Sequence, residues 1–272
     1  MPPEDAFAIR LERRGLVELD DTRFTLTPAE ALLLSPAASD GRAKNISLGP
    51  GGGVRGAAAE VMPELSRLLG RYADWADAAV RRLAPRYAAG LRRGRASLRT
   101  RAVEQGAISP RKDDRRLHVD AFASQPTGGH RILRVFSNIN AEGEPRLWNI
   151  GEPFADHAGR WVAGLRPPLP GQAWLLQRLG VTRSRRTAYD ALMLGLHDAA
   201  KLDDAYQAAA PRRERAFAAG AGWMVFTDST VHAAIRGRYV LEQTFYLPPT
   251  AMAAPDASPL AILTRMTART LV

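Results

Sequence analysis

Between residues 57 and 93, apolar side chains recur at three- and four-residue intervals: Val61, Leu65, Leu68, Leu69, Tyr72, Ala76, Ala79, Val80, Leu83 and Tyr87. This period places them on one stripe of a helix, or of two helices broken near Pro85, with Arg71, Arg81, Arg82, Arg92 and Arg93 on the opposite face. Upstream, Phe7-Ala-Ile-Arg-Leu11, Val17-Glu-Leu19 and Phe24-Thr-Leu26 alternate, predicting two or three small strands that end at Ser35-Pro36. A glycine-rich loop follows. Its Gly49-Pro-Gly-Gly-Gly53 run reads as a flexible connection and not a phosphate cradle, because neither Gly-Lys-Ser/Thr nor a preceding apolar strand is present. Downstream, strand-like runs cover 96–103, 117–122, 131–140, 145–150, 222–226 and 231–247, whereas 172–179 and 187–200 carry helical periodicity. The pattern predicts an α+β chain with a double-stranded β-helix (jelly-roll, cupin-like) core and a helical jacket. We expect one domain over 1–272: small strands and a loop over 1–56, a helical segment over 57–93, and a core over 94–272 with inserted helices around 172–216.

Composition narrows the chemistry. With 272 residues, 46% hydrophobic and 24% charged, the chain is long enough to bury a substantial core. Cysteine is absent, so a metal must be held by His, carboxylates and water, a ligand set that suits ions such as Fe(II). The start, Met1-Pro-Pro-Glu-Asp5, lacks a basic segment followed by an apolar stretch, and no run reaches about 18 apolar residues. The expected location is the cytoplasm. Lys and Arg number 38 against 28 Asp and Glu, a net charge of +10; residues 71–116 alone hold 13 basic and 5 acidic residues, a local +8. Such a field attracts nucleic acid, an anionic membrane surface or a phosphorylated ligand. No recognition-helix or aromatic stacking motif accompanies the charge, which argues against nucleic acid.

Candidate chemistry lies in His118-Val-Asp120, followed after 111 residues by His232. In an extended strand alternate side chains share a face, so His118 and Asp120 can reach one ion. His232 must arrive from elsewhere: 222–232 reads as an apolar strand (Trp223 to Phe226), a polar turn (Thr227 to Thr230) and a second strand carrying the His. Two imidazoles and one carboxylate can occupy one face of an octahedral ferrous ion, leaving the opposite face for cosubstrate and oxygen. The competing reading is a surface His–Asp hydrogen bond with an unrelated distal His. Strand alternation also turns Arg134 to the same side as Phe136, with Leu133 and Val135 behind, and puts Arg146 and Trp148 on one face. An inward Arg can equally be a structural ion-pair member, and Trp148 can simply fill core.

Residues 118–154, from His-Val-Asp-Ala-Phe through Arg146-Leu-Trp148 to Gly-Glu-Pro-Phe154, closely resemble the iron and 2-oxoglutarate dependent Kdo 3-hydroxylases. Phe226-Thr-Asp-Ser-Thr-Val-His-Ala-Ala234, Leu241-Glu-Gln-Thr-Phe245 and Ser39-Asp-Gly-Arg-Ala-Lys-Asn-Ile-Ser47 are similar to that family too. The resemblance implies a jelly-roll enzyme, peripherally associated with the inner membrane, that hydroxylates carbon 3 of the sugar acid Kdo in Kdo-lipid A to give Ko. Fe(II), 2-oxoglutarate and O2 are consumed or required, with succinate and CO2 as coproducts.

It further implies His118, Asp120 and His232 as iron ligands, and Arg99, Arg134, Arg146 and Trp148 as the residues that hold 2-oxoglutarate. Guanidinium forks meet carboxylates bidentately, as a dicarboxylate requires. Arg238, and less so Arg236, compete for that anchor role, because many related dioxygenases place it after the distal His. His197, on the helical stretch four residues after Met193, reads on its own as a satisfied helix-edge His; the resemblance makes it a catalytic His near the iron that does not coordinate it. His130 and His157 read as loop residues without a role. The alternatives are the same chemistry on another sugar or small molecule, a metal-binding jelly roll without oxidative activity, and a non-enzymatic basic protein that binds polyanions.

Overall fold

A computed structural model describes residues 5–19, 22–103 and 108–272; the chain start read above therefore lies mostly outside the described residues. In chain order the elements are α1 (Ala6–Arg14), β1 (Leu16–Glu18), α2 (Pro28–Ala31), β2 (Ile46–Leu48), β3 (Val54–Arg55), α3 (Met62–Leu83), β4 (Arg92–Arg99), β5 (Arg131–Asn138) and β6 (Arg146–Ile150). There follow α4 (Phe154–Trp161), α5 (Gln172–Arg178), α6 (Ala188–Leu202), α7 (Asp204–Ala209), β7 (Arg213–Phe217), β8 (Gly222–Phe226), β9 (His232–Arg236), β10 (Val240–Leu247) and α8 (Pro259–Thr267). Helix and antiparallel sheet are mixed. A seven-stranded sheet runs β1-β8-β5-β10-β4-β2-β3 and a three-stranded sheet β7-β6-β9.

Side-chain alternation on the central strands creates three layers. On β5, Leu133 and Val135 turn outward to join Ala76, Ala79 and Val80 of α3 together with Phe245, while Phe136 turns inward. The stripe on α3 covers the large sheet, and Tyr72 anchors it by donating a hydrogen bond to the Val135 carbonyl at 3.0 Å. Between the sheets lies an aromatic wall: Trp223 of β8 stacks on Phe217 of β7 at 3.9 Å and on Phe136 at 5.1 Å, and Trp148 of β6 meets it edge-on at 5.7 Å. Rings packed this way hold neighbouring side chains in single orientations. Behind the small sheet, α4, α6, α7 and α8 bury Leu117, Val119, Val231 and Ala233.

Several expectations change. Phe7–Leu11 lies in a helix and not a strand: Ala8, Leu11 and Glu12 form the buried stripe of α1, a five-residue alternation being too short to separate the two periods. Residues 24–26 form no strand; Phe24 packs edge-on against Tyr72 at 5.0 Å. Pro85 does end α3, but Arg92 and Arg93 open β4 and do not extend a helical face. Three arginines of the expected basic face are ion-paired, Arg71 with Glu30, Arg81 with Asp77 at 2.7 Å and Arg93 with Asp74 at 2.6 Å. The predicted strand over 117–122 reduces to a bridge between His118 and His232. The run 231–247 splits into β9 and β10 at Gly237, whose φ of 106° is a left-handed conformation. The glycine-rich loop contributes β2 and β3, and β7 emerges within the inserted helical region. No helix among the described residues is long and apolar enough to cross a membrane.

Candidate metal centre and its cavity

The short bridge is what assembles the centre. His118 N–H donates to the His232 carbonyl at 3.0 Å, His232 N–H donates back at 2.9 Å, and Asp120 N–H donates to the Thr227 carbonyl at 2.8 Å. Leu117 and Val119 are thereby committed to the helical side, which turns His118 and Asp120 inward; Ala233 does the same for His232. Ligand atoms of His118, Asp120 and His232 all lie within 4.8 Å of one another, the one such group of three among the described residues.

The donor set fits a metal. His118 Nδ1 is 2.7 Å from the Arg116 carbonyl and His232 Nδ1 is 2.8 Å from the Thr230 carbonyl. A carbonyl only accepts, so each Nδ1 carries the hydrogen and each Nε2 offers its lone pair to the cavity. Burial lowers the pKa of both imidazoles, for His118 aided by the neighbouring His232 and Lys201, and keeps them neutral as ligation requires. For Asp120 burial acts to raise the carboxyl, but the Arg134 guanidinium outweighs it and holds it ionised. Its Oδ2 is buried without a hydrogen bond, although Arg134 Nη2 stands 2.9 Å away.

Arg99, Asp114, Arg134, Arg146, Trp148 and the three ligand-type residues line one cavity. Arg99 pairs with Glu242 at 2.7 Å and Asp114 at 3.5 Å; Arg134 pairs with Asp120 and with Glu242 at 2.9 Å each. Arg146 differs. It is buried, its Nη1 donates to the Gly237 carbonyl at 2.8 Å, and no carboxylate among the described residues pairs with it. Burial, with the nearby Arg99, depresses it to about 9. Because a guanidinium keeps its proton in proteins, that depression marks a buried cation short of an anion. The indole N–H of Trp148 and Arg134 Nε are likewise buried without acceptors among the described residues. Trp148 also stacks against the His232 ring at 4.9 Å. Unfilled donors beside three converging ligand atoms suit a small carboxylate that reaches a metal.

His197 of α6 meets the His118 ring edge-on at 5.5 Å without joining the three ligand-type residues. Its Nδ1 lies 2.9 Å from Asp198, which Arg111 holds at 2.9 Å. Arg238 and Arg236 do not reach the cavity; they pair with Glu142 at 2.6 Å and Glu144 at 2.9 Å. His157 is not a loop residue but lies buried in α4, 3.3 Å from Glu152 and 3.2 Å from the Tyr206 hydroxyl, whereas His130 does lie in a loop. Sequence reasoning missed Glu242, Asp114 and the buried Lys201. The polar run Glu242-Gln-Thr244 between apolar residues of one strand was the available sign for Glu242; Asp114 and Lys201 had none.

Comparison with known proteins follows the same line. A model of the family described as 3-deoxy-D-manno-oct-2-ulosonic acid (Kdo) hydroxylase matches residues 2–270. Among solved structures, apo Kdo hydroxylase KdoO, a non-heme Fe(II) α-ketoglutarate dependent dioxygenase, is 42% identical over 99% of this chain and 91% of that one, with a TM-score of 0.93. The same enzyme with cobalt(II) gives 43%, 99%, 91% and 0.94, and with α-ketoglutarate and Fe(III) 42%, 99%, 91% and 0.93. No curated protein matches. A family model spanning nearly the whole chain, together with such identity to solved members, shows that this chain belongs to the Kdo hydroxylase family.

Proposed function

We propose that this protein is an Fe(II)- and 2-oxoglutarate-dependent dioxygenase that hydroxylates carbon 3 of Kdo in Kdo-lipid A, giving Ko, succinate and CO2. The observation that carries the reading is the convergence of His118, Asp120 and His232 beside Arg146, a buried cation without a carboxylate partner among the described residues. His118 and His232 offer Nε2 and Asp120 a carboxylate oxygen; bound iron supplies the oxidising chemistry. Arg146 and the Trp148 N–H hold one carboxylate of 2-oxoglutarate, with Arg134 and Arg99 setting the field around it. Glu242 spaces those two arginines. His197, fixed by Asp198, stands next to His118 and would serve the reaction as a hydrogen-bonding group that does not hold the metal. The aromatic wall keeps water from the inner end. The two sheets form a double-stranded β-helix, the whole chain acting as one domain.

Peripheral contact with the anionic cytoplasmic leaflet of the inner membrane is part of the proposal. Leu169, Trp174 and Leu179 around α5 are 75%, 56% and 67% exposed, beside exposed Arg178 and Arg183. Exposed Trp and Leu flanked by arginine suit an interface of acyl chains and anionic headgroups.

The activity is tested by incubating purified protein with Fe(II), 2-oxoglutarate and Kdo-lipid A and measuring product mass. The expected result is a gain of one oxygen, abolished in His118→Ala. No gain with the wild-type chain overturns the reading.

A further inference from the structure

The cavity does not end at Arg99 and Arg134. Both residues, with Glu242, also line a long groove over the outer half of the large sheet. Its floor is a row of register partners: Glu242 on β10 opposite Ser97 on β4, Ser97 opposite Ser47 on β2, and Ser47 opposite Arg55 on β3. Three strand spacings of about 4.8 Å carry this row roughly 14 Å from Glu242 to the sheet edge. That is longer than one sugar ring.

The walls are cationic. Arg95 leaves β4 between Arg93 and Ser97, and Arg183 comes from the segment after α5, fixed by its N–H to the Ser124 carbonyl at 2.9 Å. Arg55, Arg95 and Arg183 are exposed and pair with no carboxylate among the described residues, unlike Arg93, Arg99 and Arg134. Tyr246 lines the same groove as Arg95 and Arg183, and its hydroxyl accepts a hydrogen bond from Gln125 at 2.9 Å. Glu242, the sole acidic lining residue among the described residues, is spent on Arg99 and Arg134. Free guanidinium forks on both walls of a groove that opens into the reactive cavity are built for a second anionic group on the same molecule.

We propose that Arg95 and Arg183 clamp a phosphate of the substrate's carrier, with Arg55 at the outer end, so that the enzyme selects a sugar acid attached to a phosphorylated glycolipid over the free sugar acid. This rests on the hydroxylase reading above and adds the determinants of substrate choice. The arginines act on binding and not on the reacting carbon.

The test compares wild type, Arg55→Gln, Arg95→Gln, Arg183→Gln and the Arg95→Gln/Arg183→Gln double variant on Kdo-lipid A, its dephosphorylated form and free Kdo. Binding of each ligand is measured without oxygen, turnover by mass gain, and 2-oxoglutarate affinity serves as the fold control. Losing one charge-assisted contact is expected to weaken Kdo-lipid A binding about 10-fold and raise KM similarly, with kcat and 2-oxoglutarate affinity within about 2-fold. Dephosphorylation should weaken wild-type binding comparably and leave the double variant little affected. Wild-type binding to Kdo-lipid A no tighter than to free Kdo, unchanged binding in the double variant, or an equal loss on both lipid forms overturns the groove assignment. Intact groove binding without oxygen transfer overturns the hydroxylase reading alone.

Discussion

Arg146 shows how one residue acquires a role from its surroundings. Its neighbours Arg99 and Arg134 are neutralised by Glu242, Asp114 and Asp120, while Arg146 meets the Gly237 carbonyl and no carboxylate among the described residues. Arg146→Ala should therefore weaken 2-oxoglutarate by about 10- to 100-fold, the range of a lost charge-assisted pair, and leave metal uptake unchanged. Calorimetry with 2-oxoglutarate and Co(II) measures both; an affinity change below about 2-fold would remove Arg146 from the cosubstrate site. His118 and Asp120 were legible in sequence as a pair because two-residue spacing is a local property of extended chain, whereas His232 was named by the family resemblance. Spacing alone does not single out Arg146 over Arg238 as the anchor: one opens β6 and the other lies in the turn after β9, and only the sheet arrangement sends one into the cavity and the other to Glu142.

At the scale of elements, the break between β9 and β10 ties fold to site. Gly237 holds a φ of 106°, and a Cβ there would lie 2.9 Å from the Pro145 carbonyl and 3.0 Å from Arg146 Cα. Gly237→Ala should cost about 1–3 kcal/mol in a denaturant melt, and because the same carbonyl orients Arg146, it should also weaken 2-oxoglutarate binding. A variant as stable as wild type would show that the turn carries no strain against a side chain. Long periodic elements such as α3 and α6 were readable, since a dozen or more residues separate 3.6 from 2.0 periodicity. Two- and three-residue strands were not. β2 and β3 exist because β4 offers a paired edge, a condition that lies some 50 residues away in the chain.

Across the whole molecule, acid stability and membrane contact follow from buried and exposed extremes. Burial acts to raise the Glu152 carboxyl, but hydrogen bonding with His157 and Tyr206 outweighs it and holds the group at about 2, against 4.5 in the unfolded chain. A lowered native value means the ion contributes stability above the unfolded value and loses it as pH falls toward the native one. Glu152→Gln should thus be less stable at neutral pH and show a shallower fall in Tm between about pH 5 and about pH 2; an unchanged slope refutes the linkage. Trp174→Ser together with Leu179→Ser should reduce sedimentation with anionic phosphatidylglycerol vesicles several-fold while sparing 2-oxoglutarate affinity; equal sedimentation removes α5 from the membrane contact. By itself the amino-acid order determined the helical stripe on α3, the two sides of β5, the shared face of Arg146 and Trp148 on β6, and the two-residue spacing of the first ligands, all consequences of backbone geometry within a few residues. Only tertiary structure decided which carboxylate neutralises which arginine, that His197 comes to rest beside His118, and that Arg55, Arg95 and Arg183 border one groove. Those depend on strand register and on charges brought together from distant parts of the chain, and no local period encodes them.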